Sequence, residues 1–337
     1  MNIKQIYFGV LLSLAAAGAV LADFHNPVIA KDWPDPTVWY AGGKFYSVAT
    51  GLRTLMTSSD LISWTDTGNS PISTDARGKL ESISRNIWAP CVTRIGNNWV
   101  LYISLFISDD DCKIAALTST RPSGPFEFKG VVVDTRREGI LNAIDPFVLT
   151  VDGTTMMFFG SLADGVHVVD LASDGLSIAS GAKPLHVAGI RKPESKMIGA
   201  YEGSYVMHRN GWWYLFVSGG HYANHTYYLT VGRSKSVKGP YFDREGNNLT
   251  AGKAKPILSS SADDWFYGPG HNGDVFTAQD GRTMIFYHSH CKGYDTKERP
   301  TLLQEMKWDA DGWPYFVNGK PAKAEREFKV RLQELVK

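Results

Sequence analysis

Short apolar segments separated by polar turns follow one another along the chain after residue 22. The segments are rich in Tyr, Phe, Trp, Val and Ile, and Gly, Asp, Asn and Ser lie between them. This pattern is typical of β-strands joined by tight turns, and the period of a long amphipathic helix is nearly absent. Residues 322–336 could form either a closing helix or an outer strand. The pattern therefore predicts an all-β fold.

An imperfect repeat organises these segments. Each copy has an anchor residue, a turn that contains Gly, and an aromatic strand; the anchors are Asp35, Ala89, Asp145, Glu202 and His271. They are separated by roughly 54 to 69 residues, and a four-stranded propeller blade takes about 40 to 50 residues before loop insertions. Five copies predict a five-bladed β-propeller. A β-sandwich is the alternative, but its strands need no such regular repeat.

The first 22 residues have a different pattern. A basic residue precedes an apolar run from Ile6 to Leu21, and small residues lead to a cleavage site after Ala22. This order predicts a secretory signal peptide. A membrane anchor is the alternative, but the run is shorter than the ~20 residues of a spanning helix. We expect an exported protein, periplasmic or extracellular, in which residues 23–337 form one propeller domain with no membrane attachment.

Charge and cysteine usage exclude several classes of partner and site. Lys and Arg number 35 and Asp and Glu 34, so the net charge is only +1 and no basic field predicts nucleic acid or an acidic membrane surface as a partner. Cys91, Cys112 and Cys291 cannot all pair, and they lack the close spacing of a metal site. We therefore expect no disulfide framework and a neutral substrate.

Three of the five anchors are carboxylic acids. Blade repetition brings equivalent anchors together near one end of the central channel, which would place Asp35, Asp145 and Glu202 beside His271. Neighbouring carboxylates raise one another's pKa, and glycoside hydrolysis needs one protonated and one ionised carboxyl group. An acidic residue in an Asp-Pro or Glu-Gly pair is by itself usually a turn residue. Recurrence at the blade starts is what favours a catalytic group.

Five segments surround the anchors: Trp33-Pro34-Asp35-Pro36, Ile87-Trp88-Ala89-Pro90, Ile144-Asp145-Pro146, Glu202-Gly203-Ser204-Tyr205 and Gly268-Pro269-Gly270-His271. Together they resemble glycoside hydrolase family 43, and above all its arabinan-active branch, over residues 26–313. The resemblance implies an inverting glycoside hydrolase. In it Asp35 is the general base, Glu202 is the general acid, and Asp145 tunes the acid and orients the substrate.

The resemblance also implies a substrate, the α-1,5-linked L-arabinofuranosyl bonds of arabinan or arabino-oligosaccharides. A β-xylosidase or another exo-acting pentosidase is the alternative within the family, because the anchors do not encode which pentose is bound. A non-catalytic carbohydrate-binding propeller is the alternative of another class, against which the three carboxyl groups argue. Endo-acting relatives usually have His directly before the base, whereas here Pro34 precedes it. Exo or endo action and the oligomeric state stay open.

Sugar recognition needs aromatic faces for the apolar side of a furanose and polar groups for its hydroxyls. We expect Trp88 and Trp33 to stack on sugar rings. We expect Arg299, Ser161 and Asn142 to contribute polar contacts in the pocket.

Histidines raise the question of a metal ion. His271 matches a channel histidine that the resemblance implies as a ligand, largely through water, of an ion that is often calcium, although the sequence has no acidic calcium-binding loop. The pairs His221 and His225, and His288 and His290, have spacings that a zinc site could use. The first pair would need a helix to converge, and the surrounding residues indicate a loop. No organic cofactor is expected.

Overall fold

The computed structural model describes residues 23–191 and 200–332. These residues form one two-stranded sheet and five larger antiparallel sheets, which are the blades of a five-bladed β-propeller and confirm the predicted fold class. The predicted signal peptide lies outside the described residues, and the assignment of residues 23–337 to one domain stays a prediction.

The first two blades follow a short leading strand, and a helix lies after each of them. The leading strand is β1 (Asp23–His25). Blade 1 consists of β2 (Thr37–Ala41), β3 (Lys44–Val48), β4 (Met56–Ser58) and β5 (Trp64–Asp66), and α1 (Thr74–Ile83) follows. Blade 2 consists of β6 (Asn86–Ile95), β7 (Asn98–Ser108), β8 (Asp111–Ser119) and β9 (Glu127–Asp134), and α2 (Thr135–Glu138) follows.

The last three blades contain short 3₁₀ helices at Leu162–Asp164, Leu249–Ala251 and Val317–Gly319. Blade 3 consists of β10 (Phe147–Val151), β11 (Thr154–Phe159), β12 (Val166–Asp170) and β13 (Leu185–Ala188). Blade 4 consists of β14 (Glu202–Arg209), β15 (Trp212–Gly219) and β16 (Tyr228–Ser234). Blade 5 consists of β17 (Phe266–Gly270), β18 (Val275–Thr277), β19 (Thr283–Cys291), β20 (Thr301–Trp308) and β21 (Pro314–Tyr315), and β22 (Ala324–Arg326) comes last.

Blades 5 and 1 are joined at both the outer and the inner edge of the ring. At the outer edge β22 pairs antiparallel with β1, so the described part of segment 322–336 contains an outer strand. The Asn26 side chain donates to the carbonyl of Leu303 and accepts from its N–H, both at 2.9 Å. At the inner edge Asp274 Oδ2 accepts a hydrogen bond from the Val38 N–H at 2.6 Å. Side chains and a strand pair thus close the ring.

The second strand of each blade is apolar on both faces because a hydrophobic core lies on either side of it. In β7, Val100 and Tyr102 pack toward blade 3, whereas Leu101 and Ile103 pack toward blade 1. The same alternation occurs in β11 and β15. Successive side chains of a strand point to opposite faces, so a strand between two cores reads as a continuous apolar run. These are the aromatic strands of the sequence repeat.

Each blade has a residue with left-handed backbone geometry just before its inner strand or within the first few residues of that strand. The five are Asp35 (φ 55°), Ala89 (φ 43°), Asp145 (φ 57°), Gly203 (φ 59°) and His271 (φ 44°). The sequence analysis placed the anchor of blade 4 at Glu202, whereas the left-handed residue is Gly203, one position later. Glu202 pairs with Ser218 as Trp88 pairs with Ser104, so Glu202 is equivalent to Trp88 and not to the two aspartates. The acid and the base project from different positions of the repeat.

Side chains of one blade bind the left-handed residue of the next, and we call these bonds inter-blade latches. Each accepts from a backbone N–H: Thr50 Oγ1 from Ala89 (2.9 Å), Ser104 Oγ from Asp145 (2.9 Å), Ser218 Oγ from His271 (2.7 Å) and His288 Nδ1 from Asp35 (3.2 Å). Blade 3 has Gly160 at this position, whose added Cβ would lie 2.2 Å from the Gly165 carbonyl oxygen. The N–H of Gly203 donates instead to Asp145 Oδ2 at 3.2 Å.

Two further observations bear on the sequence-based expectations. Cys91, Cys112 and Cys291 are buried, and each has a free thiol, as expected for a fold without a disulfide framework. Across residues 23–191 and 200–332, no helix is both long and apolar enough to cross a membrane.

Candidate active site

A cavity of about 410 Å³ lies at the end of the channel where the inner strands begin. Every blade contributes side chains to its wall. Of the nine residues predicted for the site, the structure places eight around this cavity: Asp35, Trp88, Asn142, Asp145, Ser161, Glu202, His271 and Arg299. The exception is Trp33.

Asp35 is the carboxylate with the most nitrogen atoms close to it. Its Oδ1 lies 3.2 Å from His271 Nδ1, 3.2 Å from His288 Nδ1 and 3.5 Å from Arg299 Nη1. Its Oδ2 accepts a hydrogen bond from Thr50 Oγ1 at 2.5 Å. Burial raises the pKa of Asp35, but Arg299 and His271 outweigh it and hold the pKa well below its usual value. Asp35 is therefore ionised, as a general base must be.

His288 is fully buried behind Asp35. Burial, assisted by the charge of Arg299, lowers the pKa of His288 to about 3, so the imidazole is neutral. Its Nε2 lies 3.4 Å from Arg299 Nη1, and its ring stacks on Tyr227 with centroids 5.7 Å apart. This packing fixes the ring against the base.

Asp145 lies on the other side of His271, whose Nδ1 is 3.9 Å from Asp145 Oδ2. Burial raises the pKa of Asp145 to about 7; His271 opposes the rise, and Glu202 and Asp35 add to it. Asp145 can therefore exchange a proton near neutral pH. One imidazole nitrogen connects this carboxyl group to the base.

Glu202 is held by two hydroxyl groups. Oε1 accepts from Tyr227 Oη and Oε2 accepts from Ser161 Oγ, both at 2.6 Å. Burial and the nearby carboxylates raise the pKa of Tyr227 well above its usual value, so this phenol stays a donor. The two bonds fix the Glu202 carboxyl group at the cavity wall.

Aromatic pairs and one unpaired amide oxygen form the remaining walls. Trp88 stacks on Phe106 with centroids 4.6 Å apart, and His221 stacks on Tyr222, which is 48% exposed. The Asn142 Oδ1 atom is buried and has no hydrogen-bond partner among the described residues. Aromatic faces suit the apolar side of a sugar ring, and a free acceptor suits one of its hydroxyls.

Trp33 does not reach the cavity, so the expectation that it stacks on a sugar is wrong. It is 3% exposed, and its Nε1 donates to Ser47 Oγ at 2.9 Å. Its backbone N–H donates to the Arg299 carbonyl, and its own carbonyl accepts from Thr301 Oγ1. With these two bonds to blade 5 in place, the indole ring lies in a small core with Ile29, Ala49 and Met56.

The sequence analysis missed several residues of the site. Thr50 and His288 contact Asp35, Tyr227 contacts Glu202, and Phe106 and Tyr222 line the cavity. The sequence repeat could have revealed Thr50 and His288, because they occupy the strand-end position at which other blades have Ser104 or Ser218. Arg299, expected to make a polar contact in the pocket, lies beside the base.

The residues around His271 do not form a cage for calcium. Ca²⁺ takes six to eight oxygen ligands. The described residues contain no group of three or more His, Cys, Asp or Glu side chains placed to hold a metal ion, and His271 Nδ1 contacts Asp35. An ion held at His271 largely through water therefore stays a prediction, and no catalytic step is assigned to it.

Comparisons with known proteins identify the family. The family model for glycosyl hydrolases family 43 matches residues 24–314. An extracellular exo-α-(1→5)-L-arabinofuranosidase of Cellvibrio japonicus (strain Ueda107) is 27% identical over 325 residues, covering 90% of this chain and 89% of that protein. The extracellular endo-α-(1→5)-L-arabinanase 1 of Bacillus subtilis (strain 168) is 29% identical over 304 residues, covering 87% of each.

Solved structures show the same fold. The chain superposes on the α-L-arabinanase of Cellvibrio cellulosa complexed with arabinohexaose with a TM-score of 0.74 and 26% identity, covering 85% of this chain and 96% of that one. Because the family model spans most of the sequence and the fold agrees, the chain belongs to glycosyl hydrolase family 43.

Proposed function

We propose that this protein hydrolyses the α-1,5-linked L-arabinofuranosyl bonds of arabinan or arabino-oligosaccharides, with inversion at the anomeric carbon. The observation that carries the proposal is the placement of an ionised Asp35 and of Glu202 in one cavity, together with Asp145 and His271. The names of the two sequence relatives support arabinan as the substrate.

Asp35 is assigned as the general base. It accepts a proton from a water molecule while the water oxygen forms a bond to the anomeric carbon. Arg299 and His271 favour its ionised form, so the base is available from acidic pH upward.

Glu202 is assigned as the general acid. As the bond between the anomeric carbon and the leaving oxygen breaks, Glu202 donates its proton to that oxygen. A protonated carboxyl oxygen keeps a lone pair, so Glu202 can carry the proton and still accept hydrogen bonds from Tyr227 and Ser161. Proton exchange with solvent restores both carboxyl groups after each turnover.

Asp145 is assigned as the orienting carboxyl group. Its Oδ2 binds the N–H of Gly203, directly after the acid, so it fixes the backbone from which Glu202 projects. Repulsion between Asp145 and Glu202 contributes to the raised pKa of Asp145, so at neutral pH one proton can be held within this group of acids.

We infer that the protein is exported. The N-terminal pattern predicts a signal peptide, and the two sequence relatives are named as extracellular.

The test is product analysis on linear α-1,5-arabinan, xylan, and the aryl α-L-arabinofuranoside and β-xyloside. The wild type should release arabinose or arabino-oligosaccharides, and proton NMR of the first product should show the inverted anomer. Asp35→Asn should lower turnover at least about 100-fold, since general base catalysis contributes about 10² to 10⁴. Asp152→Asn, an exposed turn residue with φ 49°, is a matched control that should retain activity.

A second variant tests the acid. Glu202→Gln should slow arabinan far more than the aryl arabinofuranoside, whose leaving group needs little protonation. Equal loss on both substrates would contradict the acid assignment. Xylose as the main product would favour the alternative pentosidase, and no turnover of any substrate would refute the proposed function.

A further inference from the structure

Thr50 makes two hydrogen bonds with its hydroxyl group. Thr50 Oγ1 is 2.9 Å from the Ala89 backbone nitrogen and 2.5 Å from Asp35 Oδ2. A backbone N–H can only donate, so the hydroxyl accepts from Ala89, and its single proton points away from that nitrogen. The ionised Asp35 carboxylate can only accept. The inter-blade latch therefore fixes the hydroxyl as a donor to Asp35.

This bond completes the environment of the base. Three nitrogen atoms, from His271, His288 and Arg299, lie within 3.5 Å of Oδ1, whereas Thr50 is the partner described for Oδ2. With both oxygens held, the plane of the carboxylate is fixed. Oδ1 is crowded, so the second lone pair of Oδ2 is the better acceptor for a proton from water. Thr50 lines the same cavity.

Ser218, which forms another inter-blade latch, gives a comparison. Ser218 Oγ accepts from the His271 N–H at 2.7 Å, and among the described residues it makes no hydrogen bond to a carboxylate. Ser218 therefore shows what a latch contributes when it only joins two blades.

We propose that Thr50 is a positioning residue for the general base, holding the Asp35 carboxylate so that Oδ2 receives the proton of the attacking water. This inference rests on the proposed function, in which Asp35 is the base. Thr50 acts through Asp35 and takes no part in bond making or breaking.

The experiment compares Thr50→Val with Thr50→Ser in kcat, KM and pH profile. Valine keeps the shape and removes the hydroxyl, so we expect kcat to fall about 10- to 100-fold, the loss typical of a hydrogen bond to a charged group, with KM little changed. The acid limb of kcat/KM should move to higher pH, because a donor to the ionised carboxylate is lost. Thr50→Ser keeps the hydroxyl and should restore both properties.

Tyr205→Phe is the matched control, since it removes a hydroxyl that accepts from the Val275 N–H between blades 4 and 5 at 3.1 Å and, among the described residues, makes no hydrogen bond to Asp35 or His271. It should lower the melting temperature and leave the acid limb in place. If Thr50→Val matches Tyr205→Phe in kcat and in the acid limb, Thr50 only joins two blades and the inference is overturned.

A crystal structure of Thr50→Val separates this inference from the proposed function. A rotated Asp35 carboxylate supports the positioning role even if the wild type cleaves none of the four substrates, in which case the proposed function alone fails. An Asp35 carboxylate in its original place overturns the positioning role whatever the substrate.

Discussion

Replacing Asp145 with Asn should stabilise the protein at neutral and alkaline pH while removing its activity. Burial raises the pKa of Asp145 from 3.8 to about 7. The folded protein therefore keeps this proton up to near neutrality, whereas the unfolded chain releases it near pH 4. Between these values the unfolded state binds fewer protons, so the stability of the wild type falls as pH rises through this window and stays lower above it. Asn cannot ionise, so the variant avoids this loss.

The size of the effect follows from the two pKa values. At ~1.4 kcal/mol per pH unit, the difference corresponds to an upper limit of about 4 kcal/mol in the free energy of unfolding at pH 8. The pKa of about 7 already includes the favourable effects of His271 and of the Gly203 N–H on the ionised form, and Asn keeps an uncharged acceptor for that N–H. We therefore expect Asp145→Asn to be more stable than the wild type by about 2 to 4 kcal/mol at pH 8, and about equal to it near pH 4.

Denaturant unfolding at several pH values between 4 and 8.5 measures this difference. Asp274→Asn is a matched control, because burial raises the pKa of Asp274 to about 7 as well, yet this residue accepts from Val38 at the inner edge between blades 5 and 1. It should show the same pH-dependent stabilisation and retain activity. The reasoning would be refuted if Asp145→Asn were no more stable than the wild type at pH 8. It would also be refuted if the stability difference between variant and wild type were the same at pH 4 as at pH 8.

Three further predictions concern the base, the aromatic wall and the channel. Arg299→Met should move the acid limb of kcat/KM up by about 1 to 3 pH units, because a cation 3.5 Å from Asp35 is lost. Replacing the exposed Arg121 with Met is the control and should leave the acid limb in place. An unmoved limb in Arg299→Met would contradict the role of Arg299 in lowering the pKa of Asp35. Trp88→Ala should raise KM for arabino-oligosaccharides about 10-fold through lost stacking, and an unchanged KM would place the sugar elsewhere. If an ion acts at His271, chelation should lower kcat and calcium should restore it; full activity after chelation would count against the ion.

The fold was predictable because its cause is visible in the sequence. A strand between two cores must be apolar on both faces, and this requirement recurs in every blade, as in β7 and β11. The Asp35 and Asp145 anchors were predictable for a related reason, since each precedes a proline at the start of an inner strand. Repetition marked both without any knowledge of distant contacts.

The rest depends on contacts between distant residues. Thr50 bonds to Ala89, and Ser161 to Glu202, across blades, and a single hydroxyl residue carries no pattern that reveals its partner. The register in blade 4 was missed because Gly203 takes the left-handed position beside a residue that looks like the anchor. Trp33 was misplaced because bonds to another blade decide which way its ring points.

The inter-blade latches also show where symmetry ends in this propeller. If the five blades had the same residue at each equivalent position, the ring would be symmetric. The positions that differ between blades are those of the candidate active site. Gly160 lacks the side chain that its counterparts use, and Asp145 takes over the vacant bond. Glu202 replaces an aromatic or apolar residue, and Thr50 makes a bond that Ser218 does not. In this fold, aligning the blades with one another and marking the positions that break the symmetry locates the active site within a single sequence.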